Sequence, residues 1–469
     1  MEGNMLLQHP KTLSFVKRQG VVRPGAARLC TVGCAALLGF CSTALIVRSL
    51  GPAAFGSYSF IRWLATVAAP VTGIGMSALS GRYTGEIASR ESPRLMAGIF
   101  YFVWRHHYRK ILLYCLVYLL LVLPFARFFG GNAPGFLLLI AGLSVPPLLL
   151  NGVASITLRS LRRYDLLAAI QLIGAIVLLL LVLFAIYTQL PGGRITSVAA
   201  ETTGATSPSS DWPYLDPGQT LAAFFLLASA ASSLFMLTIA LLYIMRLLPL
   251  RESLSPGLLL KQRLTRGLSS PLLLFILDGI VWQPSELLFL GHGHSAAELG
   301  FYMLGSILCT GFMNIPPALL STCLLPFLLR YVPGQHYLNA TEAWIKTTAY
   351  TALLALPMGI LVFVYSPNII ASCFGEAYLP AVTPCRILLI SAVLGSIATT
   401  SITRLASSGH KRAQVWPGAV AAILNLILAF PCTLTWGVSG AAFASASAQV
   451  VYATCSIVVC RRCMLEVYR

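Results

Sequence analysis

The sequence predicts an all-α polytopic membrane protein, with about twelve transmembrane helices in two six-helix bundles and both termini in the cytoplasm. Three observations predict it. Of 469 residues, 57% are hydrophobic and only 10% charged, whereas a soluble domain carries about 25% charged residues. The apolar residues come in runs of about 18 or more with few charges, and the mean hydropathy is +0.81. The 32 Lys and Arg gather in alternate connections between those runs. Twelve spans of about 20 residues would consume most of the apolar residues, which leaves little for an extramembrane domain. A soluble enzyme or nucleic-acid-binding module is thereby excluded, and the net charge of +18 reads as membrane topology instead.

Hydropathy places the spans near residues 26–47, 57–80, 111–129, 135–157, 166–188, 219–245, 268–291, 300–327, 344–366, 380–403, 414–435 and 438–460. On this reading 27 of the 32 basic residues fall on one side, Arg105, Arg109 and Lys110 among them. The excess of Lys and Arg in cytoplasmic connections then orients the chain. The other five are Arg48, Arg62, Arg127, Arg194 and Arg386.

The organisation follows directly. Residues 1–25 form a polar, basic cytoplasmic lead-in without a small-residue cleavage site, so the first span reads as an uncleaved anchor. Residues 26–245 form the first bundle, 246–267 a cytoplasmic linker, 268–460 the second bundle and 461–469 a cytoplasmic tail. Within the first bundle, the outer connection 189–219 is rich in Gly, Ser, Thr and Pro. It holds too little apolar surface to fold alone and reads as a flexible loop.

The two bundles resemble each other in sequence. Phe55-Gly56-Ser57-Tyr58 matches Leu299-Gly300-Phe301-Tyr302 at an offset of 244, and Ser155-Ile156-Thr157 matches Ser401-Ile402-Thr403 at an offset of 246. Two matches at nearly one register, in corresponding spans, argue for an internal duplication. Parallel six-helix repeats are related by an axis along the membrane normal and enclose a central cavity, the plan of alternating-access transporters.

The segment Arg48-Ser49-Leu50-Gly51-Pro52-Ala53-Ala54-Phe55-Gly56-Ser57-Tyr58 resembles the R-x-LGP-x-x-FG-x-Y pattern that follows the first helix of polysaccharide-biosynthesis flippases. These belong to the multidrug/oligosaccharidyl-lipid/polysaccharide exporter superfamily. Glu298-Leu299-Gly300-Phe301-Tyr302, Phe374-Gly375-Glu376-Ala377-Tyr378, Ser408-Gly409-His410-Lys411 and Gly437-Val438-Ser439-Gly440-Ala441-Ala442 are further similar features, in order along residues 26–460. The resemblance implies the exporter-superfamily fold and the movement of a polyprenyl-diphosphate-linked oligosaccharide from the inner to the outer leaflet of a bacterial inner membrane. It implies membrane lipids, a proton or sodium ion, and a polysaccharide polymerase with its export machinery as partners. Physically, Gly51 and Gly56 permit tight backbone turning, Pro52 blocks helix continuation and Tyr58 suits the headgroup level, so the motif reads as a compact structural corner.

Charges inside spans cost about 2.5–3.5 kcal/mol each at mid-membrane and are functional candidates. Asp278 lies in the middle of the seventh span, and Asp278, Trp282 and Glu286 recur every four residues on one stripe. A carboxyl there can take up and release a proton or hold a cation, which makes Asp278 and Glu286 candidates for ion coupling; a structural ion pair or hydrogen bond is the alternative. Arg62 and Arg386 can offer forked guanidinium donors to a diphosphate, or else snorkel to headgroups. Asn314 and Gln283 can bond sugar hydroxyls, as can Asn425 and Gln171, or can join helices.

No cofactor or metal is expected. Cys460-Arg461-Arg462-Cys463 lacks the second pair a zinc site needs, and His292-Gly293-His294 lacks a carboxylate at ligand spacing. No GxxxxGK[ST] is present, so no nucleotide is hydrolysed by that route. Two rivals remain at this stage. A cation-coupled drug exporter of the same superfamily would favour acidic and aromatic cavity residues. A membrane polysaccharide polymerase or glycosyltransferase would need chemistry on substantial outer loops.

Overall fold

A computed structural model describes residues 25–67, 93–122, 135–161, 163–189, 217–248, 285–293, 295–319, 340–407 and 411–467. The described residues are helical almost throughout. They form α1 (Gly25–Val67), α2 (Pro93–Val117, continued by a π-helical turn Tyr118–Val122), α3 (Gly135–Ser160), α4 (Tyr164–Gln189) and α5 (Pro217–Leu247). Then follow α6 (Leu287–Gly293), α7 (Ala296–Met313), α8 (Ile315–Leu319), α9 (Ala340–Phe374), a 3-10 turn (Glu376–Ala381), α10 (Val382–Ser407) and α11 (Lys411–Val467). Eight helices among the described residues are long and apolar enough to cross a membrane. The chain is an all-α, multi-pass membrane protein.

Two of the long elements are pairs of helices joined without a loop. α1 breaks at Gly51, whose φ of 72° and ψ of 170° lie outside helical space, and Pro52 opens the next segment. Only glycine adopts that backbone without strain, and proline at a helix start forfeits no hydrogen bond. α11 breaks in the same manner at Gly437, φ 55° and ψ −130°. The corner expected at Gly51-Pro52 is therefore present. The second turning residue expected there, Gly56, is instead an ordinary helical residue, and its lack of a side chain serves packing.

Helices α1, α3, α4 and α5 pack on one another, with α2 against α3; α7, α9, α10 and α11 form a second group, with α6 against α11. α1 crosses between the groups, packing extensively on α7 and also touching α9 and the 3-10 turn. The crossing point is Gly56 against Gly300. A Cβ on Gly56 would strike the carbonyl of Ala296, and a Cβ on Gly300 would strike the carbonyl of Pro52. Small residues of this kind let helix backbones approach closely where apolar burial gives no preference over lipid. Aromatic rings close the same seam. Tyr378 donates to the Val47 carbonyl at 2.8 Å and lies edge-on to Phe55 and Phe301, at 6.3 and 6.4 Å.

The third span departs from its expected limits. It was placed at 111–129, whereas α2 already begins at Pro93. At one end, Tyr118 is buried and donates to the Leu138 carbonyl, three residues into α3, at 2.8 Å. Towards the other end, Ala97, Ile99, Phe100 and Val103 pack with Val153, Ala154 and Leu158 of α3, Leu167 of α4 and Ile244 of α5. Arg105, Arg109 and Lys110 therefore lie beside the middle of α3, a helix about 39 Å long at 1.5 Å per residue. The hydropathy window moved the span because three cations interrupt it. Their helix nevertheless continues through the same layer as its neighbours.

Candidate functional site

The second segment of α1 carries Arg62 on an exposed face, one turn beyond buried Tyr58. The Nη1 of Arg62 donates to the Tyr58 hydroxyl at 3.2 Å. This is the i, i+4 neighbourhood of a helix surface. The bond holds one side of the guanidinium, and among the described residues its other donors have no bond, as recognition of an anion requires.

The repeat partner of Tyr58 is Tyr302, on α7, and its hydroxyl faces the opposite charge. Tyr302 donates to Oε2 of Glu286 at 3.0 Å. Glu286 is fully buried at the entry to α6, where its own carbonyl receives the amides of Phe289 and Leu290. Asn425 and Ser445 of α11 lie beside its carboxylate, and Asn425 donates to the Ser285 hydroxyl at 3.0 Å. Among the described residues, Oε1 of Glu286 is left without a close hydrogen-bond partner. A fully buried ionised carboxylate with one oxygen lacking a close partner is costly, so the arrangement suits a carboxyl that carries a proton or meets a cation.

Arg386 on α10 is occupied differently. Its Nε donates to the Phe363 carbonyl at 3.2 Å and to the Ser366 hydroxyl at 3.3 Å, and its guanidinium carbon lies 4.9 Å above the Phe363 ring. The cause is Pro367, inside α9. Proline has no amide to give the carbonyl four residues earlier, which is that of Phe363. Arg386 and the Ser366 hydroxyl, at 3.0 Å, take its place.

Asn314 is exposed and caps the C-terminus of α7, its amide bonding back to Thr310 and Phe312. The helix restarts at Ile315, so the expected eighth span is broken where Pro316-Pro317 follow. Asp278 and Gln283 lie outside the described residues. Glu286 is thus brought together with Tyr302, Asn425 and Ser445. Among the described residues no hydrogen bond or ion pair joins it to Arg62 or Arg386.

Sequence reasoning passed over α2. It assigned Arg105, Arg109 and Lys110 to a connection, yet Tyr101, Arg105, Tyr108, Arg109, Leu112 and Leu116 recur at helical spacing and are all exposed on the structure. That period was the signal available in the sequence.

The fold and these buried and exposed charges are those of a multi-pass helical membrane protein. Residues 222–383 match the family model described as polysaccharide biosynthesis protein. Among solved structures, the chain is similar to the lipid II flippase MurJ in an inward closed conformation, with TM-score 0.60 and 12% identity, covering 92% of this chain and 87% of that one. It is also similar to an inward-facing multidrug resistance MATE family transporter of the MOP superfamily, with TM-score 0.56, 15% identity and coverage of 95% and 99%. The bent form of the Vibrio cholerae MATE transporter VcmN gives TM-score 0.58, 12% identity and coverage of 97% and 98%. At such identities the structures speak for the fold. A comparison with curated protein sequences finds no match. The family resemblance carried by the sequence motifs is borne out by the polysaccharide-biosynthesis match together with this shared fold.

Proposed function

We propose that the chain is a flippase that carries a polyprenyl-diphosphate-linked oligosaccharide from the inner to the outer leaflet of a bacterial inner membrane, for O-antigen, capsule or exopolysaccharide synthesis. What carries the reading is the coincidence of a transporter fold over nearly the whole chain with a polysaccharide-biosynthesis match across its centre. Sugars and a diphosphate cannot cross hydrocarbon unpaired, so such a carrier must shield them between two bundles while the polyprenyl tail stays in lipid. Residues 26–245 and 268–460 are those bundles, twelve spans in all, with both termini cytoplasmic and the chain acting by alternating access rather than as an enzyme. Arg62 offers a guanidinium to the diphosphate along its path, and Arg386 another through donors that Phe363 and Ser366 leave over. Asn314 and Gln283 bond sugar hydroxyls, and Glu286 and Asp278 couple movement to a proton or sodium gradient. A polysaccharide polymerase is the partner that consumes the product.

The test is reconstitution into liposomes with a labelled polyprenyl-diphosphate-linked oligosaccharide, scoring its arrival in the far leaflet. Gradient-driven efflux of cationic drugs, with no movement of the glycolipid, would assign the chain to the drug-exporter branch instead.

A further inference from the structure

One face of α2 changes character along its length. Nearer the Pro93 end it presents Tyr101, Arg105, Tyr108 and Arg109, and beyond them Leu112 and Leu116, all exposed. At 100° per residue these six fall within about a third of the helix circumference. Arg105 and Arg109 are i, i+4 neighbours, with Cβ atoms about 6 Å apart. The opposite side of the helix is committed to packing, through buried Val103, His107, Ile111 and Tyr114. His107 bonds the Val103 carbonyl at 3.1 Å, and Tyr114 donates to the Ala65 carbonyl of α1 at 3.0 Å.

The two arginines sit at the depth where the middle of α3 lies, between the cluster around Leu158 and the bond from Tyr118 to Leu138. Arginine facing hydrocarbon at that depth costs about 2.5–3.5 kcal/mol or more, so charged groups in spans face a wet interior. The side that bears them must therefore meet something anionic or aqueous.

We propose that this face is the seat of the lipid-linked substrate: Arg105 and Arg109 hold the diphosphate, Tyr101 and Tyr108 stack against the first sugars, and Leu112 and Leu116 carry the start of the polyprenyl chain. The inference rests on the flippase reading and deepens it by giving the substrate a subsite that neither Arg62 nor Arg386 supplies. Two guanidinium forks one helical turn apart suit two linked phosphates. The order of polarity also fits. A polyprenyl diphosphate drawn from the leaflet on the Pro93 side brings its head first and its tail towards Val122, the order of arginine then leucine along the helix.

The test uses the full chain in phosphatidylcholine nanodiscs, with undecaprenyl diphosphate as the probe and inorganic diphosphate and phosphatidylglycerol as competitors. The expected result is binding by the wild type that falls about tenfold or more in Arg105→Gln/Arg109→Gln, as befits lost charged hydrogen bonds. Arg105→Lys/Arg109→Lys keeps the charge but not the fork and should lose only a few-fold, which also serves if the glutamine variant fails to insert. Inorganic diphosphate should compete weakly and phosphatidylglycerol hardly at all. Equal binding by wild type and both double variants would overturn the inference while leaving the flippase reading to the transport assay. Displacement by phosphatidylglycerol as effective as by unlabelled probe would overturn it in favour of a general headgroup anchor. No binding of the probe by the wild type would remove the flippase reading and the inference with it.

Discussion

Gly56 and Gly300, 244 residues apart and equivalent in the internal repeat, meet where α1 crosses α7, and each leaves room for a carbonyl of the other helix. Gly56 makes way for Ala296, Gly300 for Pro52, and the Gly56 amide nitrogen lies 3.3 Å from where a Gly300 Cβ would be. Ala296 is itself 244 residues beyond Pro52, so the exchange is reciprocal, as a pseudo-twofold axis between repeats requires. Gly56→Ala and Gly300→Ala should each destabilise by about 1–3 kcal/mol, the usual cost of overpacking, and by similar amounts. Thermal unfolding in detergent, followed by size-exclusion chromatography, measures this. A large effect at one glycine with none at the other would deny the symmetric crossing.

Arg62 is exposed and, among the described residues, anchored by one bond to Tyr58, so its replacement disturbs little packing. Arg62→Ala should abolish translocation of the labelled glycolipid while the protein still inserts and elutes as a single species. Tyr58→Phe, which releases the guanidinium without removing it, should slow translocation by a smaller factor. Wild-type transport by Arg62→Ala would take this residue out of the substrate path.

What could be read from the sequence tracks how local its cause is. The break at Gly51-Pro52 was legible because positive φ and a missing amide are properties of those two residues alone. The role of Gly56 was not, since close approach depends on what lies opposite, and Ala296 is 240 positions away. The repeat itself could be seen, but not that its two copies touch. Glu286 could be picked out as a charge in an apolar span, whereas its bond to Tyr302 follows from how α6 turns back towards α7. The limits of α2 were misjudged because averaging over a window treats three cations as the end of a span. On the structure they are one side of a helix that goes on packing.

Arg386 and Pro367 make a coupled pair that a double-mutant cycle can resolve. Arg386→Leu should cost about 1.5–3 kcal/mol, the worth of a charged hydrogen bond, because the Phe363 carbonyl then keeps only the Ser366 hydroxyl. In a Pro367→Ala background, the alanine amide can bond that carbonyl and the same substitution should cost much less. Melting temperatures of the four proteins give the coupling. Strictly additive effects would mean that the guanidinium does not stand in for the missing amide, and would return Arg386 wholly to substrate binding.

Glu286 offers the sharpest separation of a structural from a coupling role. Its carboxyl is fully buried, accepts a bond from Tyr302, has Asn425 and Ser445 beside it and, among the described residues, keeps Oε1 without a close partner. Glu286→Gln retains the shape and can still accept from Tyr302, so it should fold at least as well as the wild type. As glutamine neither titrates nor balances a bound cation, transport in that variant should lose its response to an imposed proton or sodium gradient. Glu286→Ala, by contrast, should destabilise by removing the carboxylate to which the buried Tyr302 hydroxyl donates, a cost of about 1–3 kcal/mol. Liposomes with and without a gradient, tested with a protonophore and with a sodium ionophore, distinguish the cases. If Glu286→Gln folds and still responds to either ionophore as the wild type does, the carboxyl only holds α6 to α7, and coupling must rest elsewhere, with Asp278 the next group to replace.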